Sequence, residues 1–185
     1  MNPGTQTQYC LFDTAIGVCG VAWSRNGVTR LQLPEADASA TEKRLCARAA
    51  PASRALPAEI EQLIMDLQAY MAGRRCDFDC VAIDLMGVEP FQRTVYQATR
   101  AIPWGQTASY GELARRTGSP GAARAVGQAL SRNPIPIIIP CHRVLAKGRR
   151  VGGFSAHAGT ATKQRLLALE GVHLDVGRPL LPGIV

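Results

Sequence analysis

Twelve consecutive residues constrain this chain more than any others: Asn133-Pro134-Ile135-Pro136-Ile137-Ile138-Ile139-Pro140-Cys141-His142-Arg143-Val144. Proline fixes φ and removes a backbone donor, so prolines at 134, 136 and 140 forbid a helix and argue against a central strand. Three successive isoleucines nevertheless demand burial. The expectation is a rigid, extended, apolar segment that delivers Cys141 and His142 to one fixed place.

A cysteine beside a histidine has chemical meaning, because an imidazole can take the thiol proton and stabilise the thiolate. An unperturbed thiol is only about 3% ionised at neutral pH, so activation matters. Sequence neighbours, however, point to opposite faces of a strand and diverge by about 100° on a helix. Contact between Cys141 and His142 therefore needs a tight turn, or a water that relays the proton. Taken alone, such a pair is more often a buried inert thiol or a metal ligand than a catalytic pair.

The rest of the chain sets the frame. Its 185 residues suit one large domain or two small ones. With 46% hydrophobic and only 19% charged residues, a disordered chain is excluded. No apolar run approaches the ~20 residues that a spanning helix needs, so no membrane is expected. Met1–Thr5 has neither a basic nor an apolar signal region, and six cysteines are too sparse for a disulfide scaffold. The expected location is the reducing cytoplasm. Charge is divided unevenly: residues 1–85 carry 8 Lys+Arg and 10 Asp+Glu, residues 86–185 carry 13 and 4, giving −2 and +9. A basic half fits a polyanionic partner, and it also fits a solubilising face.

Residues 1–86 read as a small α+β domain. Gln8–Asp13, Gly17–Trp23 and Val28–Leu33 are short apolar runs separated by Ile16-Gly17 and Asn26-Gly27, which predicts an antiparallel meander. Helices are expected over Thr41–Ala50 and from Pro57 to Gly73, the second with Ile60, Leu63, Ile64, Leu67 and Met71 on one face. Alternation over Asp77–Leu85 predicts a further strand. Residues 87–173 turn mainly helical. Phe91, Val95, Ala98 and Ile102 share a helical face, and Ser109-Tyr110-Gly111-Glu112 is a capping box. Ser119-Pro120 is expected to start another helix that runs to Ser131. Two short helices around a Gly-Ser turn, the second with Arg124 and several small residues, have helix-turn-helix form. Ordinary tight packing accounts for those small residues more readily, because generic helix pairs are common. Residues 174–185 read as a tail.

Pro140-Cys141-His142-Arg143-Val144 with Asn133-Pro134, Ser109-Tyr110-Gly111, Ala122-Ala123-Arg124-Ala125-Val126-Gly127 and Gly152-Gly153-Phe154-Ser155 resembles, in order and spacing, the O6-alkylguanine-DNA alkyltransferases (methylated-DNA–protein-cysteine methyltransferases). The resemblance runs from about Pro90 to Gly171. It implies a ribonuclease-H-like first domain and a winged helix-turn-helix second domain. It implies a single irreversible transfer of an alkyl group from guanine O6 to sulfur. By resemblance Cys141 is the acceptor, His142 its base through a water, Glu170 the carboxylate that orients His142, Asn133 the brace of the turn, and Tyr110 the proton donor to the departing guanine. Ser155, Phe154 and Val144 match the base pocket. Arg124, Ala123, Gly127 and Tyr110 match the surface that enters the minor groove of duplex DNA, with Arg124 filling the gap left by a flipped nucleotide. The family pattern implies a monomer and no cofactor. Phe154 stands where many relatives carry Tyr or Gly.

No metal site is expected. Cys10, Cys19, Cys76 and Cys80 lack finger or ribbon spacing and no histidine precedes His142, so they read as buried thiols. Two other classes compete with the transferase. A winged-helix DNA- or lesion-binding protein fits the basic half, but has no use for Cys-His behind a rigid segment. A Cys-His hydrolase would need its histidine distant in sequence and an oxyanion hole.

Overall fold

The computed structural model describes residues 7–46, 49–52, 55–153 and 159–174. Strands β1 (Gln8–Thr14), β2 (Gly17–Ser24) and β3 (Gly27–Gln32) form the meander, with Gln8 opposite Trp23 and Thr14 opposite Gly17. Gly27 is required by its neighbour: with φ +130°, a Cβ there would lie 2.5 Å from the Ala82 carbonyl oxygen. That close approach lets Val28 N donate to Ala82 O and Asp84 N donate to Val28 O. A two-residue strand, β4 (Ala50–Pro51), adds in parallel beside β1, so the sheet is mixed, in the order β3-β2-β1-β4, and not wholly antiparallel.

Helix α1 covers Ala38–Leu45 and not Thr41–Ala50, because the Asp37 side chain accepts from Ala40 N and starts it earlier. Helix α2 (Ala58–Met71) buries Ile60, Leu63, Leu67 and Met71 as its spacing predicts, and Tyr70 as well. Each such apolar side chain contributes about 1.5–3 kcal/mol on leaving water. The strand expected over Asp77–Leu85 does not form. Asp77 Oδ1 accepts from Asp79 N and Val81 N donates to Phe78 O, which turns the chain. Arg100 Nη2 meanwhile takes the carbonyls of Phe78, Asp79 and Val81. Only Ile83 bridges to Val28. Of Cys10, Cys19, Cys76 and Cys80, only Cys19 is fully buried, and Cys80 is exposed.

The second half is helical: α3 (Pro90–Arg100), α4 (Tyr110–Arg116), α5 (Ala123–Ser131) and α6 (Thr160–Leu169). A two-stranded parallel pair, β5 (Ala108–Ser109) with β6 (Val144–Leu145), ties α4 to the segment after Cys141. The capping box is present, with Ser109 Oγ accepting from Glu112 N and Glu112 Oε2 accepting from Ser109 N. Helix α5 starts at Ala123 and not at Ser119-Pro120, since Gly121 at φ +93° interrupts the helical path. One apolar core runs through both halves, from Val21, Trp23, Leu67 and Tyr70 to Leu113, Val126, Ile135 and Cys141. Among the described residues no helix is long and apolar enough to cross a membrane.

Candidate active site

The Pro-Ile segment is rigid and buried, but it folds back on itself and is not extended. Ile139 N donates to Ile135 O at 2.8 Å, and Pro136 bridges Ile139. Ile137 takes φ +72°, a strained conformation for a β-branched residue, held by complete burial of Ile137, Ile138 and Ile139. Pro140 at φ −77°, ψ 64° makes an inverse γ-turn in which Cys141 N donates to Ile139 O at 2.7 Å. Cys141–Arg143 then form one 3-10 turn. Asn133 ties the arrangement together. Its Oδ1 accepts from Ile135 N, and its Nδ2 donates to Ile139 O at 2.8 Å and to Cys141 Sγ at 3.2 Å.

Cys141 and His142 are buried, and among the described residues no direct hydrogen bond joins the thiol to the imidazole. Burial pushes the Cys141 thiol up. Asn133 Nδ2, the Lys163 ammonium and the amides of Cys141 and His142 all oppose that shift by favouring the thiolate. His142 Nε2 lies 2.8 Å from Glu170 Oε1, while Nδ1 is buried without a hydrogen-bond partner among the described residues. A carboxylate accepts, so Nε2 carries the proton and Nδ1 presents a lone pair. Burial lowers the His142 pKa, and the charges of Arg143 and Lys163 lower it further against the pull of Glu170. The imidazole is therefore neutral at neutral pH, as a base must be.

Glu170 caps the C-terminus of α6 and sits at the centre of the polar cluster. Its Oε1 accepts from Tyr70 Oη (2.8 Å), His142 Nε2 and Arg143 Nη2 (3.0 Å); its Oε2 accepts from Arg143 Nε (2.9 Å) and Gly105 N (3.3 Å). Burial alone would raise its pKa. The donors and the Arg143 charge overcome that and hold it at about 2. Arg143 also donates to Ile102 O.

A cleft of about 1040 Å³ opens over this turn. Cys141 lies in its lining with Tyr110 of α4, Ala123, Arg124 and Gly127 of α5, and Lys147 and Gly153 beyond the turn. Tyr110 is half-buried, and burial with the nearby Cys141 raises its pKa, which keeps the phenol protonated. Gly152 packs so closely on Tyr110 that a Cβ would lie 2.8 Å from its hydroxyl. Val144 is buried and its carbonyl accepts from Lys163 Nζ at 2.6 Å. Phe154 and Ser155 lie outside the described residues.

Three site residues carried no expectation from sequence: Tyr70, Arg143 and Lys163. Lys163 lies on the apolar side of α6, spaced like Leu166, Leu167 and Glu170, with its Nζ 5.7 Å from the Tyr110 ring centre. Burial lowers its pKa to about 8. A lone cation or phenol on an apolar helical face was the available signal, since such groups are buried only with partners.

A buried thiol, a neutral imidazole, an ionised carboxylate and a phenol around one turn are the parts of a cysteine nucleophile with its base. A family model described as 6-O-methylguanine DNA methyltransferase, DNA binding domain, matches residues 90–172. A methylated-DNA–protein-cysteine methyltransferase of Mycolicibacterium paratuberculosis is 48% identical over 120 residues, 65% of this chain and 68% of that one. The protein of the same name from Methanothermobacter thermautotrophicus is 36% identical over 156 residues, covering 84% and 81% of the two chains. The crystal structure of Mycobacterium tuberculosis OGT in complex with DNA superposes with a TM-score of 0.72 at 37% identity, over 88% of this chain and 92% of that one. The chain belongs to the methylated-DNA–protein-cysteine methyltransferase family.

Proposed function

We propose that this protein repairs O6-alkylguanine in double-stranded DNA by direct reversal, accepting the alkyl group on Cys141 once and irreversibly. The observation that carries the reading is the cleft that puts Cys141 on one surface with Tyr110, Arg124 and Gly127. His142 Nδ1 takes the thiol proton through a bridging water. The thiolate attacks the alkyl carbon, a carbon–sulfur bond forms, and the carbon–O6 bond breaks with its electron pair leaving on guanine O6. Tyr110 supplies a proton to the departing guanine, so the leaving group is not a bare anion. Atoms and charge balance without a cofactor or metal.

In-line attack on an alkyl group at O6 is blocked inside a stacked duplex, so the damaged nucleotide must rotate out. Helices α4 and α5 act as a winged helix-turn-helix on the minor groove. Ala123 and Gly127 allow close approach, and Arg124 fills the vacated space. Asn133 braces the turn, the Val144 carbonyl reads the base, and Phe154 and Ser155 form the pocket wall. In this reading residues 1–86 are a ribonuclease-H-like domain, 87–173 the DNA-binding and catalytic domain, and 174–185 a tail, and the protein works as a cytoplasmic monomer. The test uses a duplex with one O6-methylguanine bearing a labelled methyl group. One label is expected to move to each chain, and none to Cys141→Ala. Lesion removal that continues past one per chain, or a bound but unrepaired lesion, would overturn the proposal.

A further inference from the structure

Tyr70 lies outside every motif that carries the family resemblance, on helix α2 of the amino-terminal half, yet its phenol reaches the centre of the site. Its Oη donates to Glu170 Oε1 at 2.8 Å and stands 3.3 Å from His142 Nε2. The ring is fully buried and packs edge-on against Phe78 and Trp104, with centroids 5.7 and 5.4 Å away, so the hydroxyl is held in place. Donors that share one carboxylate oxygen divide its negative charge. The hydrogen bond accepted from Tyr70 weakens the pull of Glu170 on the imidazole N–H.

We propose that Tyr70 is a positioning residue for the His142–Glu170 pair, fixing the carboxylate and setting how basic His142 is. Through it the sheet-bearing half of the chain is part of the reaction centre. The inference rests on the reading of His142 as the base. Among the described residues the charged or titratable groups around His142 are Glu170, Arg143, Lys163, Tyr70 and the adjacent Cys141, and of these only Tyr70 comes from the amino-terminal half. Cys76 is a further neighbour of the phenol.

Tyr70→Phe keeps the ring and removes the donor. Glu170 then pulls harder on the imidazolium, the His142 pKa rises, and the acid limb of the reaction moves to higher pH. The experiment compares full-length wild type and Tyr70→Phe in single-turnover methyl transfer across pH, with the His142 ring titrated by NMR without DNA. Both midpoints are expected to move up by roughly half a pH unit or more. Phe78→Leu, which loosens the same packing but keeps the hydroxyl, is expected to move neither. Tyr70→Phe midpoints that superimpose on wild type, or an equal shift in Phe78→Leu, would overturn the inference. A wild-type acid limb that ignores the His142 midpoint would instead overturn His142 as the base, and the NMR titration would still decide the role of Tyr70.

Discussion

Two buried thiols sit in very different surroundings. Cys19, on β2, is 1% exposed, and Cys141, in its 3-10 turn, is 6% exposed. Burial raises both pKa values. Around Cys19, among the described residues, only the Thr14 hydroxyl at 3.8 Å opposes it, and the thiol is pushed up to about 12. Around Cys141 an amide side chain, two backbone amides and an ammonium group all favour the thiolate. Removing a thiol from water silences it, and donors aimed at the sulfur give it back a selective reactivity. A regular strand uses its amides within the sheet. The irregular Pro-Ile turn aims the amides of Cys141 and His142 at the sulfur, a geometry that the strained Ile137 conformation helps to hold.

Breaking the turn's surroundings gives the largest effects. Glu170→Gln leaves Arg143 buried without a counter-charge and is expected to cost about 3–5 kcal/mol of stability in urea unfolding. The His142 midpoint falls with it, because the imidazolium loses its anionic neighbour. Asn133→Ala removes the side-chain donor to sulfur and is expected to slow single-turnover transfer about a hundredfold. Unchanged kinetics would mean that the backbone amides and Lys163 suffice.

The pH dependence sharpens the same contrast. His142 has a lowered pKa, so transfer is expected to hold steady through neutral pH and to fall in acid as Nδ1 is protonated. A lowered folded-state pKa stabilises the protein above the unfolded value, near 6.5, and that contribution is lost as pH falls through the folded value. Glu170 behaves likewise lower down, its contribution lost between about 4.5 and about 2. Urea unfolding across pH measures both. The smallest effect is at the other thiol: Cys19→Ala is expected to cost on the order of 1 kcal/mol for the lost packing and to leave the transfer rate unchanged.

Much of the frame was legible from short-range chemistry. The meander and the capping box depend on signals a few positions apart, and each formed. One failure had a distant cause, and two were local shifts of a helix start. The Asp77–Leu85 alternation reads as a strand until Arg100 claims its carbonyls. Helix α1 shifted because Asp37 caps it, and α5 because Gly121 adopts φ +93°. At the site, motif residues from Asn133 to Glu170 could be named because they belong to one recognisable pattern. Tyr70 could not, since its 2.8 Å hydrogen bond to Glu170 joins positions 100 residues apart.

Surroundings, not burial, select one thiol among six. The most direct measurement of that selection is peptide mass mapping of all six cysteines after incubation with excess O6-methylguanine duplex. One added methylene per chain is expected, found on the Cys141 peptide and absent from the Cys19 peptide and the other four. Methylation shared among cysteines, or an unmodified Cys141 beside a repaired duplex, would contradict it.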